Sequence, residues 1–308
     1  MRLYFLGNGF DLSHNLDTSY LNFKHYLRDN YSSLYLKFIK MYEIYGDDAD
    51  MFWSDFENNL ACLSNYYLFD MVNSNNCDFN IGKPYDTAWK RDVLISNLDV
   101  YSELQQAFIS WAGEKDRDTI KVKYKISKLF FSYDRKCVDG EEGSDFFLVF
   151  NYTHTLERVY GINKEYVFRP HGEVGKNCLE PQFGHGNDDC ISKVNNLYNE
   201  TADMYERVAY NWAEEYLRLT RKNVNEFLSD VDIFYDSHNL NPDTICVIGM
   251  SFGKADIPYF RQAHNNFSRA KWIISYHKDE DGNDQRKYFI RVLKEIGILS
   301  SNIRFIEL

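Results

Sequence analysis

Short apolar runs that stop abruptly at glycine, asparagine or histidine recur along the chain. Residues 2–6 are ended by Gly7-Asn8-Gly9, 146–150 by Asn151-Tyr152-Thr153, 166–169 by Pro170-His171-Gly172, and 244–248 by Gly249-Met250-Ser251. Runs at 271–276 and 303–307 complete the set. Their length and turn-forming ends predict buried strands. In Ile245-Cys246-Val247-Ile248 both parities are apolar, which suits strands covered on both faces, as in a parallel sheet. Helical spacing fills 257–268, with Pro258 in the first turn, and 285–296. Strand, helix, strand, helix, strand is an α/β signature.

The interval between the first two strands is far longer than one crossover needs. It reads as helical over 20–45, 52–60, 88–112 and 121–133, and a single long helix is predicted over 201–234. The polar stretches 73–83 and 134–144 read as loops, and 175–196 as one long ordered loop. The expectation is therefore a single α/β domain over 1–308: a Rossmann-like, mostly parallel sheet flanked by helices. Large helical insertions interrupt it at about 14–140 and 197–238.

Composition narrows the class. A chain of 308 residues can bury a sizeable core without staples, and 17% aromatic residues supply large buried areas. With 35 basic against 46 acidic side chains the net charge is −11, which argues against gripping a nucleic-acid backbone. The densest basic stretch, 115–128, also holds Glu114, Asp116 and Asp118 at or beside it and reads as a solvated face. The six cysteines include no C-x-x-C pair, so no zinc ribbon is legible. No apolar span reaches membrane length and the first run is too short for a signal peptide. A cytoplasmic location with free thiols is expected, and no membrane partner.

Candidate chemistry sits at the strand ends, where open α/β sheets bind ligands. Gly7 and Gly9 permit a tight turn and could expose N–H groups to phosphate at the next helix start, although the third glycine of a dinucleotide fingerprint is missing. A plain strand-to-helix turn is the competing reading. Asp11 suits either an N-cap or a ligand contact. Asn151 can position water or a sugar hydroxyl through its two-sided amide, or simply begin a turn. Its tripeptide is also a glycosylation acceptor pattern, discounted because nothing indicates secretion. His171, followed by glycine, can act as a base near neutral pH, and His185 lies between loop glycines. Either histidine can equally be a hydrogen-bonded structural residue. Neither has a carboxylate or thiol at familiar ligand spacing, so no metal is expected. Ser251 and Lys254 could meet phosphate, but no Walker spacing is present. Gly249 and Gly253 flank Ser251 as in a nucleophile elbow, with Asp256 and His277 downstream, so a serine hydrolase competes.

Together these motifs resemble the AbiH family of phage abortive-infection proteins. The likeness runs through residues 7–14, Thr18-Ser19-Tyr20, Trp53 to Glu57, Phe150 to Thr153, His171-Gly172, Phe183 to Asn187 and Gly249 to Asp256. A more distant likeness, in motif order, is to sirtuin-like NAD-binding domains. That likeness implies phosphate-side glycines at Gly7 and Gly9, with Asn8, Phe10 and Asp11 beside them. It implies Asn151 near the nicotinamide ribose, His171 as catalytic base, and Gly249 and Ser251 as a later turn against the cofactor. Thr153 departs from the acidic residue usual in that pattern, and His185 joins the expected binding set. The implied function is a defence effector that binds NAD, as substrate or ligand, and hydrolyses the nicotinamide–ribose bond. A non-catalytic nucleotide sensor is the alternative. The helical insertions are left to sense a phage-derived trigger or to assemble a homo-oligomer.

Overall fold

Central strands of a parallel sheet must bury both faces, and the two parities of the predicted runs do so. In the computed structural model, which describes residues 1–46, 48–74, 85–130, 145–278, 282 and 284–308, six strands form one parallel sheet. They are β1 (Arg2–Leu6), β2 (Asp145–Val149), β3 (Val167–Phe168), β4 (Thr244–Ile248), β5 (Lys271–Tyr276) and β6 (Ile303–Glu307), in the order β3-β2-β1-β4-β5-β6. Leu3, Phe5, Leu148, Ile245, Val247 and Ile274 face one way, packed with side chains of the helices Val224–Ser237, Ile257–Asn266 and Arg286–Ile296. Tyr4, Leu6, Phe147, Val149, Cys246 and Ile248 face the other, where Phe10, Ile126, Phe130, Leu156 and Tyr160 cover them. The expected Rossmann-like sheet is present.

The chain leaves β1 for one side of the sheet and later returns to its other side. The carboxyl ends of β1 and β4 therefore form the topological switch point of an open α/β sheet.

The residues cluster into two compact units. One holds the sheet and comprises Met1–Ser19, Ala112–Pro181 and Asn223–Leu308. The other comprises Tyr20–Trp111 and Gln182–Lys222 and is helical. Its core is built from rings: Trp53 stacks on Phe56 with centroids 4.9 Å apart, and Phe108 meets Phe23 at 5.1 Å and Phe183 at 4.9 Å. Within it Lys222, its side chain 2% exposed, reaches Glu57 at 2.6 Å, and Tyr20 donates to the same carboxylate.

Several elements differ from the sequence reading. The 20–45 segment is two helices, Tyr20–Asn30 and Ser32–Tyr42, and 52–60 is Asp48–Ser54 followed by Phe56–Asn59. The segment 88–112 lies within the helix Tyr85–Lys115. Of 121–133, only Tyr124–Ser127 is helical among the described residues. The loop expected over 73–83 lies mostly, and that over 134–144 wholly, outside the described residues. The loop expected over 175–196 gives way at Asp188 to a helix, Asp188–Glu200, because the Asn187 side chain caps it by accepting from Asp189 N at 3.1 Å. The single helix expected over 201–234 is two, Met204–Leu219 and Val224–Ser237. The break is made where the chain pairs with His185: His185 N donates to Thr220 O at 2.9 Å and Lys222 N to His185 O at 3.0 Å. The second of these helices covers the sheet.

Candidate functional site

Three glycines join the turns after β1 and β4. Gly7 N donates to Ile248 O and Gly9 N to Gly249 O, both at 2.9 Å. Gly249 has φ +68°, and a Cβ there would fall 2.2 Å from Phe10 N and 2.5 Å from Gly9 C. A Cβ on Gly9 would fall 2.7 Å from Gly249 Cα. Glycine is needed because two main chains touch. Phe10 N donates to Gly7 O at 2.8 Å, so the N–H groups of Gly7, Gly9 and Phe10 are all committed within the protein. Phe10 itself is core, and Asn8 is exposed and exchanges two hydrogen bonds with Thr18, at 2.9 and 2.7 Å.

The neighbouring strands β1 and β2 bring Asp11, Asn151, Thr153 and Thr155 together. Leu6 pairs with Val149, and Phe150 N donates to Leu6 O, so the turn after β2 lies beside the short helix Asn8–Ser13 that carries Asp11. The Thr153 hydroxyl donates to Asp11 Oδ2 at 2.6 Å and lies 3.2 Å from Thr155 Oγ1. Asp11 is 1% exposed and Asn151 5%. Asp11 Oδ1 and both amide atoms of Asn151 make no hydrogen bond of normal geometry, although the Asn151 side chain stands close enough to the Asp11 carboxyl to act on it as a hydrogen-bond partner. Burial pushes the Asp11 carboxyl above the usual carboxylate range, against the pull of Thr153, Thr155, nearby Asn151 and the Arg169 charge. Polar atoms left short of partners in a buried place are costly in a native core.

His171 is held differently. Its Nε2 lies 3.0 Å from Tyr259 Oη, and its ring meets Phe150 at 5.1 Å, Tyr259 at 5.5 Å and Phe227 at 5.8 Å. It is 2% exposed within the sheet core. Gly172 has φ +82°, and a Cβ there would strike Glu180 O at 2.3 Å, so both the backbone angle and the close approach call for glycine.

An ion network supports the turn after β2. Arg169, at the end of β3 and 8% exposed, grips Glu157 with two bonds of 2.7 Å, reaches Glu173 at 3.1 Å, and donates to Thr153 O at 3.0 Å. Glu173 also takes Lys164. Burial opposes ionisation of Glu173, but Lys164, Arg169 and His154 prevail and hold its carboxyl below the usual range. His154 lies between two carboxylates, with Nδ1 2.9 Å from Asp116 and Nε2 3.4 Å from Glu173. The hydrogen bond to Asp116 raises its pKa against desolvation. Sequence reasoning passed over Arg169, Glu157, Glu173 and His154, and took Asp116 for part of a solvated face, whereas it pairs with His154 and Arg158. The available signal was Arg169 itself: an arginine ending a buried strand needs acidic partners, and Glu173 follows at i+4.

His185 belongs to the helical unit. Its Nε2 is 2.9 Å from Leu217 O, and its Nδ1 accepts from Asn187 N at 3.2 Å. Both ring nitrogens thus serve the main chain, and burial lowers its pKa. Ser251 is exposed, and no histidine bonds to it. Besides Gly249, the turn's left-handed residue is Phe252, φ +59°, and not Ser251; the Phe252 ring packs on Phe260 and Phe289 at 4.5 and 4.8 Å. The turn therefore lacks the nucleophile–base pair a serine hydrolase needs.

A family model for bacteriophage abortive infection AbiH matches residues 3–276. The chain belongs to the AbiH family. No curated protein and no solved structure matches it. Membership makes this AbiH chain one of the phage abortive-infection proteins. Among its described residues no helix is long and apolar enough to cross a membrane, and no three His, Cys, Asp or Glu side chains are grouped to hold a metal. Cys62, Cys178, Cys190 and Cys246 are free thiols.

Proposed function

We propose that this AbiH protein serves abortive infection by binding NAD, or a nucleotide of the same kind, beyond the carboxyl ends of β1 and β2. We propose further that it hydrolyses the nicotinamide–ribose bond. The observation that carries the reading is Asn151: a buried amide whose donor and acceptor make no hydrogen bond of normal geometry, beside the Asp11 carboxyl and at the edge where open α/β sheets take ligands. An amide can accept from one ribose hydroxyl and donate to another, or orient a water. The free oxygen of Asp11 adds an acceptor beside it. Thr153 stands where a sirtuin-like pattern has an acid, and it donates to the Asp11 carboxyl, so a carboxylate reaches the same neighbourhood from the other strand. The Gly7 and Gly9 N–H groups are spent on the main-chain oxygens of Ile248 and Gly249. These contacts account for the glycines as the join between two turns.

The test incubates NAD with purified wild type and with Asn151→Ala and follows the products by mass spectrometry. Nicotinamide and ADP-ribose are expected from the wild type and not from the variant. No cleavage by either, with protein concentration varied and lysate of phage-infected cells added as a source of trigger, would sink the hydrolase reading. One observation favours the second reading, a nucleotide-binding sensor without catalysis: His171, the residue expected as base, is enclosed by three rings. Under that reading a nucleotide copurifies with the wild type and is lost from Asn151→Ala.

A further inference from the structure

The hydrolase reading needs a group that takes a proton from water, and His171 is badly placed for it. We infer that Asp11 is that group: its Oδ1 is the catalytic base, and Thr153 is the residue that aims it. This rests on the hydrolase reading and goes beyond it by assigning the base.

The geometry is specific. One carboxyl oxygen of Asp11 is pinned by the Thr153 hydroxyl at 2.6 Å, which fixes the plane and direction of the other. That other oxygen makes no hydrogen bond of normal geometry, and the Asn151 amide stands beside the carboxyl, close enough to pull its pKa down. Thr153 is in turn held through its carbonyl by Arg169, which Glu157 and Glu173 lock. A carboxyl kept for structure alone would have both oxygens satisfied, because a buried orphan acceptor lowers stability. Here half the carboxyl is anchored and half is left open beside the amide suited to hold a ribose hydroxyl or water. Burial also lifts its basicity above that of a surface carboxylate, which is the direction a general base requires.

In the step itself, Oδ1 takes one proton from a water molecule as the water oxygen bonds to ribose C1′. The C1′–nitrogen bond breaks and its electron pair returns to the nicotinamide ring. The products are ADP-ribose, nicotinamide and the proton held on Asp11.

Asp11→Asn is the deciding variant, because the amide keeps an acceptor for Thr153 and removes the base. NAD turnover should fall by about 10²–10⁴-fold, a far larger loss than any weakening of NAD binding read by calorimetry. The melting temperature supplies a readout free of activity. A carboxyl whose folded pKa is raised penalises the fold as pH climbs past its unfolded value and through its folded one. Asp11→Asn should therefore melt higher than wild type at pH 8, and the gain should shrink on acidification. A lower melting temperature at every pH would assign Asp11 to structure and overturn the inference. Turnover retained in Asp11→Asn would overturn it while leaving the hydrolase reading intact. Absence of cleavage by wild type, in the assay with infected lysate, overturns the reading and the inference together.

Discussion

Replacing Gly249 by alanine tests whether the turns after β1 and β4 hold the sheet unit together. The nearest atoms the added Cβ meets are all main chain, Phe10 N at 2.2 Å, Gly9 C at 2.5 Å and Gly9 Cα at 2.7 Å. No side chain can swing away to make room. The left-handed backbone costs about 1–2 kcal/mol for any residue with a Cβ. Beyond that, either the two main chains are compressed, at about 1–3 kcal/mol, or the turns part and give up their two 2.9 Å bonds, at about 0.5–1.5 kcal/mol each. The expected loss is about 2–5 kcal/mol, a large share of the roughly 5–15 kcal/mol that stabilises a domain. Gly161 provides the control. It lies in the same unit, has φ +65°, and has nothing within 4 Å of a built Cβ. Gly161→Ala should lose only the backbone strain, about 1–2 kcal/mol. Urea unfolding followed by circular dichroism reads both variants, and any gain from a stiffer unfolded chain is common to them. Equal losses in the two would refute the idea that main-chain contact dictates glycine at 249.

Two further predictions concern the ion network. Arg169→Met leaves Glu157 and Glu173 without their central cation, and breaking a buried pair in this way costs about 3–5 kcal/mol; urea unfolding checks it, and a loss near zero would mean the acids are solvated when the arginine leaves. His154 has a folded pKa raised by Asp116, so its contribution is complete below the unfolded value of about 6.5 and disappears as pH rises through the folded value. Melting curves of wild type and His154→Gln should converge as pH climbs from about 6 to about 9, and parallel curves would refute the clasp.

The strand ends could be read without the structure because the signal is local. An apolar run closed by Gly7, Asn151 or Gly249 announces a buried strand and its exit within a few residues, and β1, β4, β5 and β6 fall where the pattern puts them. The two-sided coverage of β4 is likewise written in its own apolar parities. What the local pattern cannot carry is partnership. Asp11 and Thr153 are 142 positions apart, and only the adjacency of β1 and β2 makes them neighbours. The glycines at 9 and 249 look like ligand-facing turns until strand order sets β4 against β1 and presses their main chains together. His171 has the local surroundings of a base, and three distant rings enclose it instead. The segment 201–234 has helical periodicity throughout, yet pairing with His185 breaks it at Thr220. Periodicity follows from the geometry of one segment of chain. Burial, hydrogen-bond satisfaction and the direction of a pKa shift follow from which segments meet, and the order of the strands decides that.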